Sequence, residues 1–144
     1  MREYKARNKR GEKFVKMMDR EGLLSYQKET YPELYDLTVG HLFGDIWTRP
    51  GLSIRDRQLI TLATNIALAR TTGNHSHYNS ALHIGITRKQ IIELIIQVGH
   101  YAGWPTIGLA IRQFNKVLQV NAREKKKKNP KRGKELAEAW EGDE

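Results

Sequence analysis

The sequence predicts an all-α protein, a single-domain bundle of about six helices, on three observations. Apolar residues recur with a 3.6-residue period in segment after segment, no stretch alternates as a half-buried strand does, and helix caps fall between the periodic segments. Residues 12–20 place Phe14, Val15, Met17 and Met18 on a helical period, with a stop expected at Gly22. A second helix starts near Pro32 and runs to about Trp47, burying Leu34, Leu37, Leu42, Phe43 and Ile46, until Pro50 and Gly51 break it. Ser53, with Asp56 three residues on, caps a third helix that is apolar on nearly every face beyond its first turn and is therefore expected at the centre. A fourth begins near Asn74 and ends at Gly85, which suits a left-handed cap. Thr87-Arg88-Lys89-Gln90 is a complete capping box for a fifth helix over residues 91–101, whose Ile91, Ile92, Leu94, Ile95 and Ile96 belong to a core or a subunit interface. Gly103-Trp104-Pro105 separates it from a last helix reaching about Val120.

At 144 residues the chain is expected to form one domain over residues 1–120, followed by a basic tail over 121–144 with a short terminal helix at residues 135–140. Zero cysteines exclude disulfides, thiol nucleophiles and thiolate metal sites. The charged N-terminus MREYKARNKR and the lack of a long apolar run argue against a signal peptide or a membrane span, so a cytoplasmic protein is expected. The net charge of +9 is concentrated at the ends: residues 1–20 carry +5 and residues 121–144 carry +2, which leaves +2 for the hundred residues between. Such ends serve as solubilising segments or, in a competing reading, as contacts to nucleic acid.

The stretch GNHSHY, residues 73–78, holds two of the five histidines. His75 and His77 point about 200° apart on a helix, and His83 lies off the face of His77, so no metal site is expected here. Trp47 and Trp104 flank helix breaks and suit either anchoring of a core or interface or a platform for substrate.

Taken together, Trp47-x-Arg49-Pro50-Gly51-Leu52-Ser53-x-Arg55-x-Arg57, His77-x-x-x-Ala81-Leu82-x-x-Gly85-x-Thr87 and Glu93-x-x-x-Gln97-x-x-x-Tyr101-x-Gly103-x-Pro105 resemble the carboxymuconolactone decarboxylase family, of the alkylhydroperoxidase D-like helical fold. The resemblance covers roughly residues 10–120. It implies one of two chemistries. The peroxidase branch carries a cysteine pair where Arg70 and Gly73 stand, and a glutamate where Gln58 stands, so its thiol reaction is impossible in this chain. The cysteine-free decarboxylase branch has an arginine followed by E-x-x-x-H. Arg70 and His77 match that pattern, whereas Gly73 occupies the acidic position.

The resemblance therefore implies a cofactor-independent decarboxylase acting on a small anionic lactone such as 4-carboxymuconolactone. Loss of carbon dioxide from such a substrate needs no electron sink beyond the lactone carbonyl. The protein must supply a cation for the carboxylates, donors for the developing enolate and an acid that reprotonates carbon. His77 is the candidate acid, Arg70 and Arg49 are the candidate anchors, and Tyr101 and Trp104 are further substrate-binding candidates. The family also implies a homo-oligomer, a trimer or a hexamer.

Overall fold

The computed structural model describes residues 2–123, 134, 137 and 138. Among these the chain forms seven helices and no strand: α1 (Arg2–Met17), α2 (Glu21–Thr30), α3 (Pro32–Tyr35, continuing as a π-helix over Asp36–Ile46), α4 (Ile54–Ala67), α5 (Asn74–His83), α6 (Arg88–Ala102) and α7 (Trp104–Arg123). They fall into two compact units, one over Met1–Ile54 and the other over Arg55–Glu135. The expected terminal helix and most of the basic tail lie outside the described residues.

In the first unit α1 lies along the π-helical part of α3. Their backbones meet at glycines: a Cβ on Gly11 would run into the Val39 carbonyl, and one on Gly44 would come within 2.5 Å of the Arg7 carbonyl oxygen. Phe14, Phe43 and Trp47 pack beside this crossing, with Phe14 5.6 Å from the Trp47 ring and 5.9 Å from the Phe43 ring. The Arg20 guanidinium lies 5.5 Å from the Phe43 ring centre, and its burial lowers its pKa to about 10, so it stays charged at neutral pH. Trp47 is thus a core anchor.

Two expectations for this unit are corrected. The first helix was expected to stop at Gly22; instead Asp19 takes the left-handed position, φ 56°, and Gly22 falls in the first turn of an additional helix, α2. Asp tolerates that conformation better than most residues, and a first-turn glycine forfeits no intrahelical hydrogen bond. The second correction concerns which face of α3 is buried. Leu34, Leu37, Leu42 and Ile46 are exposed, Leu37 by 55%, while Val39, Gly40, Phe43, Gly44 and Trp47 are buried. The π-helical bonding, seen where the Trp47 N–H donates to the Leu42 carbonyl at 3.0 Å, takes more residues per turn than an α-helix, so a four-residue spacing faces inward and the 3.6-residue stripe rotates out.

In the second unit α7 packs on both α5 and α6. The capping box at Thr87 is present, with Thr87 Oγ1 accepting from the Gln90 N–H at 3.1 Å and Gln90 Oε1 accepting from the Thr87 N–H at 2.9 Å. Gly85 has φ 92°, as its place after α5 requires. The third predicted helix, α4, does not bury every face: Ile54, Gln58, Leu62 and Ile66 form one buried stripe, whereas Ile60 and Leu68 are exposed. On α6, Ile91 and Ile95 are buried and Ile96 is exposed.

α1, α4 and α5 share one way of ending. The N–H of Arg20, Arg70 and Ile86 bonds back five residues to Val15, Asn65 and Ala81, and the N–H of Asp19, Ala69 and Gly85 bonds back three to Lys16, Ile66 and Leu82. Ala69 holds the left-handed site in α4 at φ 49° without a glycine's freedom. Ala69→Gly should therefore raise stability by about 0.5–1 kcal/mol, read as a higher Tm, because it removes a backbone conformation that costs an L-residue ~1 kcal/mol. Gly11→Ala should lower stability by ~1–3 kcal/mol, since its methyl meets backbone that cannot yield without parting α1 from α3. An unchanged Tm for Gly11→Ala would show that the helices do not meet there.

Candidate functional site

The GNHSHY stretch forms the start of α5. Gly73 is its N-cap, with φ 79° and ψ −17°, in the left-handed region. A side chain at this position would meet nothing within 4 Å, so backbone conformation and not space opposes an acidic residue there. Asn74 and Tyr78 are turned into the core. The Tyr78 hydroxyl donates to the Ala110 carbonyl at 3.4 Å, its ring stacks on Phe114 at 5.2 Å, and burial raises its pKa, which keeps it protonated and structural.

His77 lies one turn into α5, three residues after Asn74, and is half-buried. What the structure brings to it is Gln58 of α4, fully buried at 0% exposure. Gln58 Nε2 donates to the His77 carbonyl at 3.0 Å and lies 3.4 Å from His77 Nδ1. The other atom of the same amide, Gln58 Oε1, is buried and has no hydrogen-bond partner among the described residues.

Arg70 is positioned by a second buried amide. Gln113 Nε2, on α7, donates to the Arg70 carbonyl at 2.8 Å, and Asn74 Nδ2 donates to Gln113 Oε1 at 3.4 Å. The Arg70 backbone is thereby fixed while its side chain remains exposed, four residues before the start of α5. Arg70 thus stands in the connection between α4 and α5, and His77 in the first turn of the helix that follows it. Arg49 belongs to the first unit, where it is exposed. Tyr101 and Trp104, at the break between α6 and α7, are exposed by 89% and 71%. The Trp104 ring meets His100 edge-on at 5.4 Å, and His100 Nδ1 lies 2.7 Å from the Ile96 carbonyl.

A groove of about 660 Å³ runs between α4 and α6, floored by Leu59, Ile60, Ala63, Leu94 and Val98 and flanked by Arg55 and Lys89. None of the sequence-predicted site residues lines it. Among the described residues no three His, Asp or Glu side chains converge.

Reasoning on individual side chains placed no functional weight on Gln58, Asn74 or Gln113. The signal was present for Gln58: it is the polar member of the stripe Ile54, Gln58, Leu62, Ile66, and a buried amide in such a stripe requires a specific partner.

A model of the carboxymuconolactone decarboxylase family matches residues 32–116, which include Gln58, Arg70, Gly73 and His77. Over 77 residues the chain is 32% identical to the 4-carboxymuconolactone decarboxylase of Acinetobacter baylyi, a match covering 54% of this chain and 58% of that protein. Over 71 residues it is 30% identical to the nitrosuccinic acid decarboxylase of Metarhizium robertsii, covering 49% of this chain and 50% of that one. The chain thus matches little more than half the length of these curated relatives. With more than half of its own residues inside the family match, the chain belongs to the carboxymuconolactone decarboxylase family.

Proposed function

We propose that the protein is a cofactor-independent decarboxylase of a small anionic carboxylate that carries its own electron sink, with His77 and Arg70 at its centre. The observation that carries this reading is that two buried amides hold these two residues by their backbone carbonyls, Arg70 in the connection between α4 and α5 and His77 in the first turn of α5. A buried polar support of this kind is the construction expected under groups whose positions matter.

The two relatives are named for a carboxylated lactone and for nitrosuccinic acid. The shared chemistry is simple. The bond to the departing carboxylate breaks, carbon dioxide leaves, and the electron pair passes to a lactone carbonyl in one case and to a nitro group in the other. The carbon then takes one proton, supplied in the end by solvent. The exposed Arg70 guanidinium supplies charge for a substrate carboxylate, and the His77 ring supplies an N–H to the sink oxygen or to the reacting carbon. Gly73 offers no acid, so this chemistry falls to Arg70 and His77.

The rival reading, nucleic-acid binding through the basic ends, is weakened at the N-terminus. Arg10 pairs with Asp45 at 2.7 Å, Arg7 lies 3.8 Å from the same carboxylate, and Arg10 also bonds the Gly44 carbonyl. Assembly into a homo-oligomer, a trimer or a hexamer, belongs to the proposal. Its support is the apolar surface left on both units: Leu34, Leu37, Leu42 and Ile46 on one, and Ile60, Leu68, Tyr101 and Trp104 on the other.

Carbon dioxide release from 4-carboxymuconolactone and from nitrosuccinic acid tests the reaction, with melting curves as the control for folding. His77→Ala should lower kcat by ~10²-fold or more at similar KM, while Arg70→Ala should raise KM about tenfold and largely spare kcat. Full turnover by His77→Ala would make His77 structural, and inactivity of the wild type on both acids would sink the decarboxylase reading. For assembly, sedimentation at micromolar concentration should show a homo-oligomer; a clean monomer refutes it.

A further inference from the structure

We infer that Gln58 is a positioning residue that holds His77 as the neutral Nε2–H tautomer, so that the ring acts by donating a hydrogen bond from Nε2 to the substrate's sink oxygen rather than by giving up a proton. The assignment of a role to His77 rests on the decarboxylase reading. The tautomer itself rests on geometry alone.

A glutamine amide has one end that only donates and one that only accepts. The His77 carbonyl can only accept, and it lies 3.0 Å from one end of the Gln58 amide, so that end is the NH2 group. Turning the amide over would set two carbonyl-type oxygens against each other in a site where Gln58 has no access to water. The same NH2 group lies 3.4 Å from His77 Nδ1, and its second hydrogen is the one available to that contact. Nδ1 must then present its lone pair. A neutral imidazole carries one proton, which is left on Nε2.

This decides between the two uses of the ring. To give a proton to carbon and end neutral, His77 would start as the imidazolium, with N–H on both nitrogens, and end with its proton on Nδ1. Both states point an Nδ1–H at the NH2 group of Gln58. As a neutral donor the ring keeps the same protons throughout, its Nε2–H strengthening a hydrogen bond as charge grows on the enolate or nitronate oxygen, and the carbon takes its proton from water. A carboxylate in place of Gln58 would reverse the preference, because it accepts from Nδ1–H and favours the imidazolium.

Long-range proton–nitrogen correlation NMR on the full-length protein at neutral pH reads the tautomer directly, with His77→Gln identifying the signals. The wild type should show Nδ1 unprotonated and Nε2 protonated. Gln58→Met, which removes the donor at similar volume, should give a mixture of tautomers, and Gln58→Glu should protonate Nδ1. A wild-type ring with its proton on Nδ1, or on both nitrogens, overturns the inference, as does a Gln58→Met spectrum identical to that of the wild type. Should either variant fail to fold, the wild-type spectrum decides alone. On a substrate that the wild type decarboxylates, Gln58→Met should lower kcat ~10-fold or more and leave KM within about twofold, the pattern of a group acting in the transition state. The spectra need no turnover, so absent carbon dioxide release sinks the proposed reaction without touching the tautomer, and a wrong tautomer sinks the role of Gln58 without touching the reaction.

Discussion

Two buried amides, Gln58 and Gln113, bear on the backbone around the start of α5, and a third, Asn74, bears on Gln113. The chain between α4 and α5 must turn without continuing either helix, which leaves the Arg70 carbonyl without a helical partner, whereas the His77 carbonyl lies inside α5. Gln113 meets the Arg70 carbonyl, Asn74 meets Gln113, and Gln58 meets the His77 carbonyl. A carbonyl left without a partner costs ~1–3 kcal/mol, so the Gln113 contact holds the connection at Arg70. The backbones of Arg70 and His77 are held by these contacts.

The same constraint explains how a departure from the family pattern sits in the fold. Position 73, acidic in the decarboxylase pattern that the sequence resembles, is here a glycine at φ 79° that ends the turn and begins α5. A residue with a Cβ would hold that conformation only at a cost, so chemistry and backbone are tied together at one position. Gln58 departs in a compatible direction. Where a carboxylate would accept a proton from the histidine, an amide donates to it and holds the ring neutral. Both changes remove negative charge from the surroundings of His77.

Close backbone contact organises the first unit in another manner. Gly11, Gly40 and Gly44 let α1 and the π-helical part of α3 approach until main chain meets main chain and neighbouring side chains, and Phe14, Phe43 and Trp47 fill the space beside them. That inward face leaves Leu34, Leu37, Leu42 and Ile46 on the outside. Charge follows the same logic. Part of the N-terminal basic surplus is spent inside the unit, with Arg7, Arg10 and His41 gathered on Asp45.

Much of the architecture was legible in the sequence because it is encoded by local chemistry. The capping box at Thr87, the left-handed glycine at 85, the break at Pro32 and the apolar periods of α6 and α7 depend on residues within a turn or two of one another, and local propensity and tertiary packing agree there. The absence of cysteine likewise excluded the thiol chemistry from what the family match could carry. Tertiary structure decided the rest. That Asp19 and not Gly22 ends α1, and that α3 buries a four-residue stripe, depends on π-helical bonding and on a neighbouring helix pressed against glycines, which no 3.6-residue count foresees. The neighbour of the His77 ring is Gln58, 19 residues away in sequence, whose identity alone does not say what it touches. A hydrogen bond between side chains on different helices exists only once both helices are placed.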